Sequence, residues 1–244
     1  MWRTCDTFPQ RLASPSSALA SVCELMRLSL VGTVHEENGL ANVEELLAIL
    51  ECLTPDVIFA EIPTAEADQY RNGSHGSLES MAVARHREGR QIAVVPVDLT
   101  KPEDAFFQCS RDMFKKVERT SPHYRRMIDR NSYDTQTGGF PYLNSDRCIK
   151  AWAAIRGEVL DTLEWINEPQ MREIYDCWNR QHALRDTEMV KNIAEYAVRN
   201  RFVHGVFLVG TAHMQSIIEK TRVESVTAIA RIEWEVDVPL LGRT

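Results

Sequence analysis

The chain spells nearly the same six residues twice, once near each end. Residues 30–35 read LVGTVH and residues 208–213 read LVGTAH. In each copy an apolar run gives way to a glycine, a hydroxyl and an imidazole, which is typical of a buried strand that turns sharply and presents a histidine at its carboxyl end. Two such strands lying side by side would bring both imidazoles into one crevice. The candidate site residues from this repeat are Gly32, Thr33, His35, Gly210, Thr211 and His213.

Three short apolar runs alternate with two helical patterns in the first hundred residues. We predict strands over residues 28–32, 56–61 and 91–98, the proline in the third placing it at a sheet edge or a bulge. Residues 42–54 and 78–88 carry apolar side chains at helical spacing. This alternation predicts an α/β fold with a mainly parallel central sheet, flanking helices and right-handed crossovers.

The pattern becomes helical from about residue 103 to 182, which we interpret as an insertion before the second Gly-x-x-His segment. Within it, glycine, asparagine and proline over residues 131–146 predict a long loop. After it we predict a helix over residues 184–199 and strands over 206–209 and 227–236.

The first 25 residues differ in composition from the rest. Residues 1–25 are rich in serine, alanine and proline and are expected to form a flexible tail, with Met26 open as an alternative start. Residues 26–244 would then form a single α/β domain.

Residues 18–30 are interrupted by charges, so they do not resemble a secretory signal. No apolar run approaches the ~20 residues that span a bilayer. With six cysteines and no Cys-x-x-Cys pair, we predict reduced thiols and a cytoplasmic location.

Net charge and missing motifs exclude several function classes. The formal net charge of -7 argues against sequence-independent binding of nucleic acid, which requires a basic surface. The sequence contains no Gly-x-Ser-x-Gly nucleophile motif, no P-loop and no dinucleotide-binding fingerprint. The oligomeric state stays open.

Ionisable side chains follow four of the predicted strands. They are His35, Glu61, Asp98 and His213. In open α/β sheets, ligands bind outside the carboxyl ends of the strands. Two imidazoles and one carboxylate suit a divalent transition metal ion with open positions for water and substrate. Glu36, next to His35, or Asp98 would then act as general base or orient a ligand imidazole.

A structural role for these residues is the alternative. A histidine at a strand end is more often a hydrogen-bonded structural residue, and a carboxylate there often caps the next helix. Two structural histidines have no need to share their local backbone, however. The repeat therefore favours a functional site.

The predicted helix over residues 184–199 carries a further candidate. Arg185, Met189, Asn192 and Tyr196 share one of its faces, which makes Asn192 a pocket candidate. Arg185 would bind a substrate carboxylate or an oxyanion. The alternative is that Arg185 forms a salt bridge to one of the strand-end carboxylates.

Four short motifs together resemble a known family. They are Gly-Thr-x-His after the first strand, a Pro-Asp-Val-x-x-x-Glu strand, an Arg-x-x-x-Met helix and a second Gly-x-x-His. This set is similar to the TraB/Tiki/GumN group, which shares a superfamily with the erythromycin esterases and the haem-binding ChaN proteins. The resemblance implies an α/β fold around a metal-dependent hydrolytic site with peptidase activity. It implies that His35, Glu61 and His213 are metal ligands and that Arg185 is the family arginine.

The chain departs from this family in ways that bear on substrate. It has neither the membrane segments of TraB relatives nor an export signal like that of GumN-type members, and its helical insertion need not match theirs. The leading hypothesis is a metal-dependent hydrolase of peptide or other amide bonds, with a peptide or small molecule as substrate. The alternatives are a non-catalytic protein that binds haem or a peptide signal, and an esterase with a metal-independent histidine base.

Overall fold

Five parallel strands form a single sheet in the order β3-β2-β4-β1-β5. The computed structural model describes residues 25–100, 102–222 and 231–236. The strands are β1 (Met26–Thr33), β2 (Val57–Ala60), β3 (Ala93–Pro96), β4 (His204–Gly210) and β5 (Ile232–Glu235). The predicted α/β fold with a parallel sheet is confirmed, and the proline-containing strand β3 lies at the sheet edge as expected.

Eight α-helices surround the sheet in the described part of the chain. They are α1 (Val43–Leu53), α2 (Ala67–Arg71), α3 (Leu78–His86), α4 (Asp104–Thr120), α5 (Pro122–Leu143), α6 (Asp146–Ile166), α7 (Pro169–Arg199) and α8 (Met214–Thr221). Short 3₁₀ turns precede α2 and α8, at Thr64–Glu66 and Thr211–His213. None of these helices is long and apolar enough to cross a membrane.

The two copies of the repeated hexapeptide lie side by side, because β1 pairs with β4. Gly32 lies opposite Val209 and Thr33 lies opposite Gly210. Both strands are buried along nearly their whole length, as their uninterrupted apolar sequences predict. The turns that carry the two histidines therefore leave the sheet at adjacent points on the same edge.

Successive strand residues pack on opposite faces of the sheet. In β2, Ile58 and Ala60 belong to the apolar core that includes the buried faces of α1 and α3. Val57 and Phe59 belong to the core that includes α7 and α8. Both faces are thus covered by helices, which leaves the carboxyl edge of the sheet as the place for a ligand.

The inserted helices have a small core of their own. Met113, Val117, Val159, Leu163 and Tyr175 pack together between α4, α6 and α7. The helix predicted over 184–199 is the second half of α7, which runs for 31 residues without interruption.

The loop predicted over residues 131–146 is wrong, because α5 continues to Leu143. The glycines that suggested a loop serve instead as a kink. Gly139 has a φ of 54°, and a Cβ atom there would lie 2.9 Å from the carbonyl oxygen of Leu40. At the end of this helix, Asn144 bonds to the backbone of Gly32, accepting from its N–H at 2.6 Å and donating to its carbonyl at 3.0 Å. The kinked helix therefore fixes the glycine of the first hexapeptide.

Two expectations concern residues outside the described part of the chain. The tail predicted over residues 1–25 lies outside it except for residue 25, and so does most of the amino-terminal half of the last predicted strand.

Candidate functional site

The predicted strand-end residues meet at the carboxyl edge of the sheet. Glu61 follows β2 directly, His35 and Asp98 follow β1 and β3 by two residues, and His213 closes the 3₁₀ turn after β4. A cavity of about 350 Å³ opens here, with His35, Glu61, Asp98 and Arg185 in its wall. We call this cavity the polar crevice.

The two imidazoles and Glu61 converge around Gly210. A Cβ atom added to Gly210 would lie 3.3 Å from Oε2 of Glu61 and 3.8 Å from both Nε2 of His35 and Cδ2 of His213. Nε2 of His35 and Cδ2 of His213 are therefore separated by no more than twice 3.8 Å. A side chain at this position would crowd the Glu61 carboxylate, which would have to shift by a few tenths of an ångström.

His35 is held by a carboxylate from α3. Its Nδ1 lies 2.9 Å from Oε1 of Glu79, and the Thr33 hydroxyl donates to the same oxygen at 2.7 Å. The Glu79 side chain is buried, whereas that of His35 is 63% exposed. The hydrogen bond to Glu79 raises the pKa of His35. This contact fixes the ring and leaves Nε2 turned toward Gly210.

His213 lies between two buried carboxylates. Nδ1 is 2.5 Å from Oδ1 of Asp186, and Nε2 is 3.2 Å from Oε1 of Glu61. Burial alone would lower the pKa of His213, but the charge of Glu61 and the hydrogen bond to Asp186 raise it to about 10. In the absence of another cation, this ring is an imidazolium at neutral pH.

Glu61 has partners on both oxygens. Oε1 accepts from Nη2 of Arg185 at 2.7 Å, and Oε2 accepts from the backbone N–H of Gly210 at 2.7 Å. Burial would raise the pKa of Glu61, but His213, Arg185 and the Gly210 N–H together hold it well below its ordinary value. Glu61 is therefore an anion at the centre of the site.

Arg185 bridges two strand-end carboxylates. Beyond Glu61 it contacts Asp98, with Nη2 at 2.6 Å from Oδ2 and Nε at 3.1 Å from both oxygens. The salt-bridge interpretation of Arg185 is thus the one that the contacts show. The same guanidinium lines the polar crevice, so it also faces any anion that enters it.

The remaining candidates support the site from its border. Asn192 donates to the carbonyl of Val97 at 2.9 Å and ties α7 to the end of β3. Thr211 accepts from Nε1 of Trp152 at 3.1 Å. Glu36 is exposed to solvent and is not among the residues that line the polar crevice.

Sequence reasoning missed Glu79, Asp186 and His182. The ring of His182 stacks on that of His213 with centroids 5.0 Å apart. Burial and the positive charges of His213 and Arg185 lower the pKa of His182 to about 3. The spacing 182, 185, 186, 189 places these residues on one face of a helix, and this signal was present in the sequence. Glu79 gives a weaker signal: it is a charged residue in the first turn of α3, and the residues on either side of it are buried.

Imidazole and carboxylate are side-chain types that bind metal ions, but the described residues are not grouped as a metal site. Among the residues with described positions, no three His, Cys, Asp or Glu side chains are grouped so that they could hold a metal ion. Yet each imidazole has its Nδ1 on a buried carboxylate, which is the arrangement that orients metal-binding histidines in proteins.

Comparisons with known proteins give no match. No protein-family model matches the chain, and neither the curated proteins nor the solved structures contain a significant relative. The resemblance to the TraB/Tiki/GumN group stays a prediction.

Proposed function

We propose that the chain is a metal-dependent hydrolase of peptide or other amide bonds, with His35, Glu61 and His213 as ligands of a divalent transition metal. The observation that carries this proposal is the pair of carboxylate-bound histidines from distant segments whose rings converge with Glu61 around Gly210. Each ring has its Nδ1 on a buried carboxylate, and the two rings approach Gly210 together with Glu61, so they form a donor set with that carboxylate.

The charge balance of the site supports a cation. The carboxylates of Glu61, Glu79, Asp98 and Asp186 are buried, and Arg185 is the one guanidinium in contact with any of them among the described residues. Buried negative charge is costly unless it is paired. The proton on His213 supplies part of the missing positive charge, and we propose that a metal ion takes its place.

The chain's own side chains would orient and stabilise the reacting groups. A bound divalent ion supplies Lewis acidity and a water of lowered pKa. Asp186 would orient Nε2 of His213 as a ligand by accepting a hydrogen bond from its Nδ1–H, and Glu79 would do the same for His35. Arg185 faces the polar crevice and would stabilise negative charge that develops on the substrate.

Glu79 is a further candidate for the general base, besides Glu36. Its Oε2 is buried and has no hydrogen-bond partner among the described residues, and Glu79 lines the polar crevice. Glu36 is exposed to solvent and does not line the polar crevice. Comparing the Glu36→Gln and Glu79→Gln variants tests which carboxylate acts as the base.

A metal-independent hydrolase with His35 as base is the second candidate. The Glu79 carboxylate behind Nδ1, the exposure of the ring and the nearby charge of Arg185 all favour it. This is the esterase alternative, in which Glu79 orients His35 and His213 stays protonated.

Metal analysis and chelation distinguish the metal-dependent hydrolase from the metal-independent one. We expect purified protein to contain close to one equivalent of a transition metal and to lose amide hydrolysis on chelation, with recovery on adding the metal back. His213→Ala should abolish hydrolysis, whereas His123→Ala, which removes an exposed histidine of α5, should not. Hydrolysis that survives chelation and His213→Ala would overturn the metal assignment, and its loss in His35→Ala would then establish the second candidate. A Soret shift on adding hemin, with no hydrolysis, would support the binding-protein alternative.

A further inference from the structure

A second cavity, of about 510 Å³, lies between the inserted helices and the segment that follows β4. Its wall includes Phe114, Trp152, Ile155, Val159, Tyr175 and Trp178, contributed by α4, α6 and α7. We call it the aromatic cavity. Its volume falls in the range of small-molecule sites, which are commonly apolar with a few polar groups.

A row of rings connects this cavity to the candidate site. Trp178 stacks on Tyr175 at 5.9 Å between centroids and lies 3.9 Å from His182, which in turn stacks on His213 at 5.0 Å. His182 lines both cavities, and His213 and Asp186 line the aromatic one. The His213 ring thus has Glu61 on one side and the apolar space on the other.

The wall nearest His213 is tied in place by α6. Arg156 donates to the carbonyl of Ala212 at 3.3 Å and to the side chain of Gln215 at 2.9 Å. Trp152 donates to Thr211, in the same turn. These bonds connect the inserted helices to the turn that carries His213, so the aromatic cavity and the imidazole keep a fixed relation.

We propose that the aromatic cavity is a subsite of the same active site and takes a bulky apolar group, aromatic or branched aliphatic, next to the bond that is cleaved. This inference rests on the proposed hydrolase function. A cavity of about 150 Å³ already holds benzene, so the aromatic cavity accommodates more than one ring. The substrate class is an amide whose residue beside the cleaved bond has a large apolar side chain.

Binding is tested first, in protein that cannot turn over the probe. We would titrate His35→Ala with N-acetyl-phenylalanine amide and N-acetyl-glycine amide, following tryptophan fluorescence, because Trp152 and Trp178 line the cavity. His35 does not line it, so this substitution leaves the cavity wall intact. We expect the phenylalanine probe to bind about 10- to 100-fold more tightly, the gain for burying one large apolar side chain. Equal affinities would overturn the proposal.

Filling the cavity should remove this preference. In the same background, Val159→Phe is expected to bring the two affinities within about threefold of one another by narrowing the apolar space. Val198→Phe is the matched control, because it makes the same change at an exposed position of α7 and should preserve the preference. A folded Val159→Phe variant with the original preference would refute the assignment. Should this variant fail to fold, Phe114→Ala enlarges the cavity and should shift the preference toward a naphthylalanine probe, and no such shift would count against the proposal.

Hydrolysis gives the second readout. With His35 present, kcat/KM for a phenylalanine amide is expected to exceed that for the glycine amide by a similar factor. Selective binding without hydrolysis would overturn the proposed function and keep the subsite as a binding pocket. Hydrolysis of both amides at equal rates would keep the function and overturn the subsite.

Discussion

Nε2 of His213 lies 3.2 Å from Oε1 of Glu61, and both side chains are almost completely shielded from solvent. The pair joins the end of β2 to the turn after β4, so it connects two strands at the point where a ligand would bind. A buried pair of this kind is sensitive to the loss of either charge, because the partner is then left uncompensated.

The first prediction concerns the stability of chelator-treated protein at alkaline pH. The pKa of His213 is raised from an ordinary 6.5 to about 10 in the folded chain. A raised pKa stabilises the folded state fully below the unfolded value, and the contribution is lost as pH rises from about 6.5 to about 10. We expect a loss on the order of a few kcal/mol across this window. The melting temperature measured against pH checks it.

The difference between two variants isolates this effect from other titrating groups. His213→Gln should flatten the alkaline part of the curve, whereas His123→Gln, at an exposed histidine, should leave it unchanged. An identical slope in the wild-type protein and in His213→Gln would contradict the prediction.

The second prediction concerns Asp186, whose carboxylate accepts from Nδ1 of His213. Asp186→Asn keeps the shape but removes the charge that orients the ring. We expect metal affinity or kcat/KM to fall by about 10- to 100-fold, the usual cost of removing such a partner. Asp176→Asn, at an exposed carboxylate of the same helix that pairs with Arg172, should have little effect. Equal activities in both variants would argue against an orienting role for Asp186.

Two glycine-to-alanine substitutions should affect different properties: one should lower activity and the other should raise stability. At Gly210 a Cβ atom meets Oε2 of Glu61 at 3.3 Å, so Gly210→Ala should displace the carboxylate and lower activity by about tenfold. At Gly157, in α6, a Cβ atom meets nothing within 4 Å, so Gly157→Ala should stabilise the helix by about 0.5–1 kcal/mol. Kinetics and denaturant unfolding measure the two effects. Full activity in Gly210→Ala would show that the space around this residue is unimportant.

The fourth prediction concerns Asn144, whose side chain bonds to both backbone polar groups of Gly32. Asn144→Ala leaves a buried N–H and a carbonyl without these partners, and should lower the free energy of unfolding by about 1–3 kcal/mol. Asn200→Ala removes a single exposed bond, to the carbonyl of Tyr196, and should have a smaller effect. Urea unfolding measures the free energy of unfolding of both variants. An equal decrease in the two would contradict a specific contribution of the Gly32 contact to stability.

The fold was largely predictable because its strands are buried on both faces. A continuous apolar run such as residues 57–60 is stable in one environment, the middle of a parallel sheet that helices cover on both faces. Local spacing likewise indicates the cap of α1, in which the side-chain oxygen of Asn42 accepts from the N–H of Glu45. The kink at Gly139 could not, because the same glycine suits a loop or a helix break, and its contact with Leu40 decides between them.

The sequence predicts those site residues whose location depends on their position along a strand. It does not predict those whose location depends on how helices pack. His35, Glu61, Asp98 and His213 all follow strands, so the parallel topology brings them to one edge. Glu79 and Asp186 reach that edge from helices, whose rotation about their axes depends on tertiary packing. A sequence shows which helical residues share a face, but not which face turns toward the sheet.

Helix α7 is one rod of 31 residues. Its first turns pack within the core of the inserted helices, and its middle carries His182, Arg185 and Asp186. An α-helix transmits an axial slide or a turn along its whole length, since its hydrogen bonds resist stretching. A displacement of the inserted helices, by an occupant or a partner, would therefore be passed along α7 to three side chains of the candidate site at the same time.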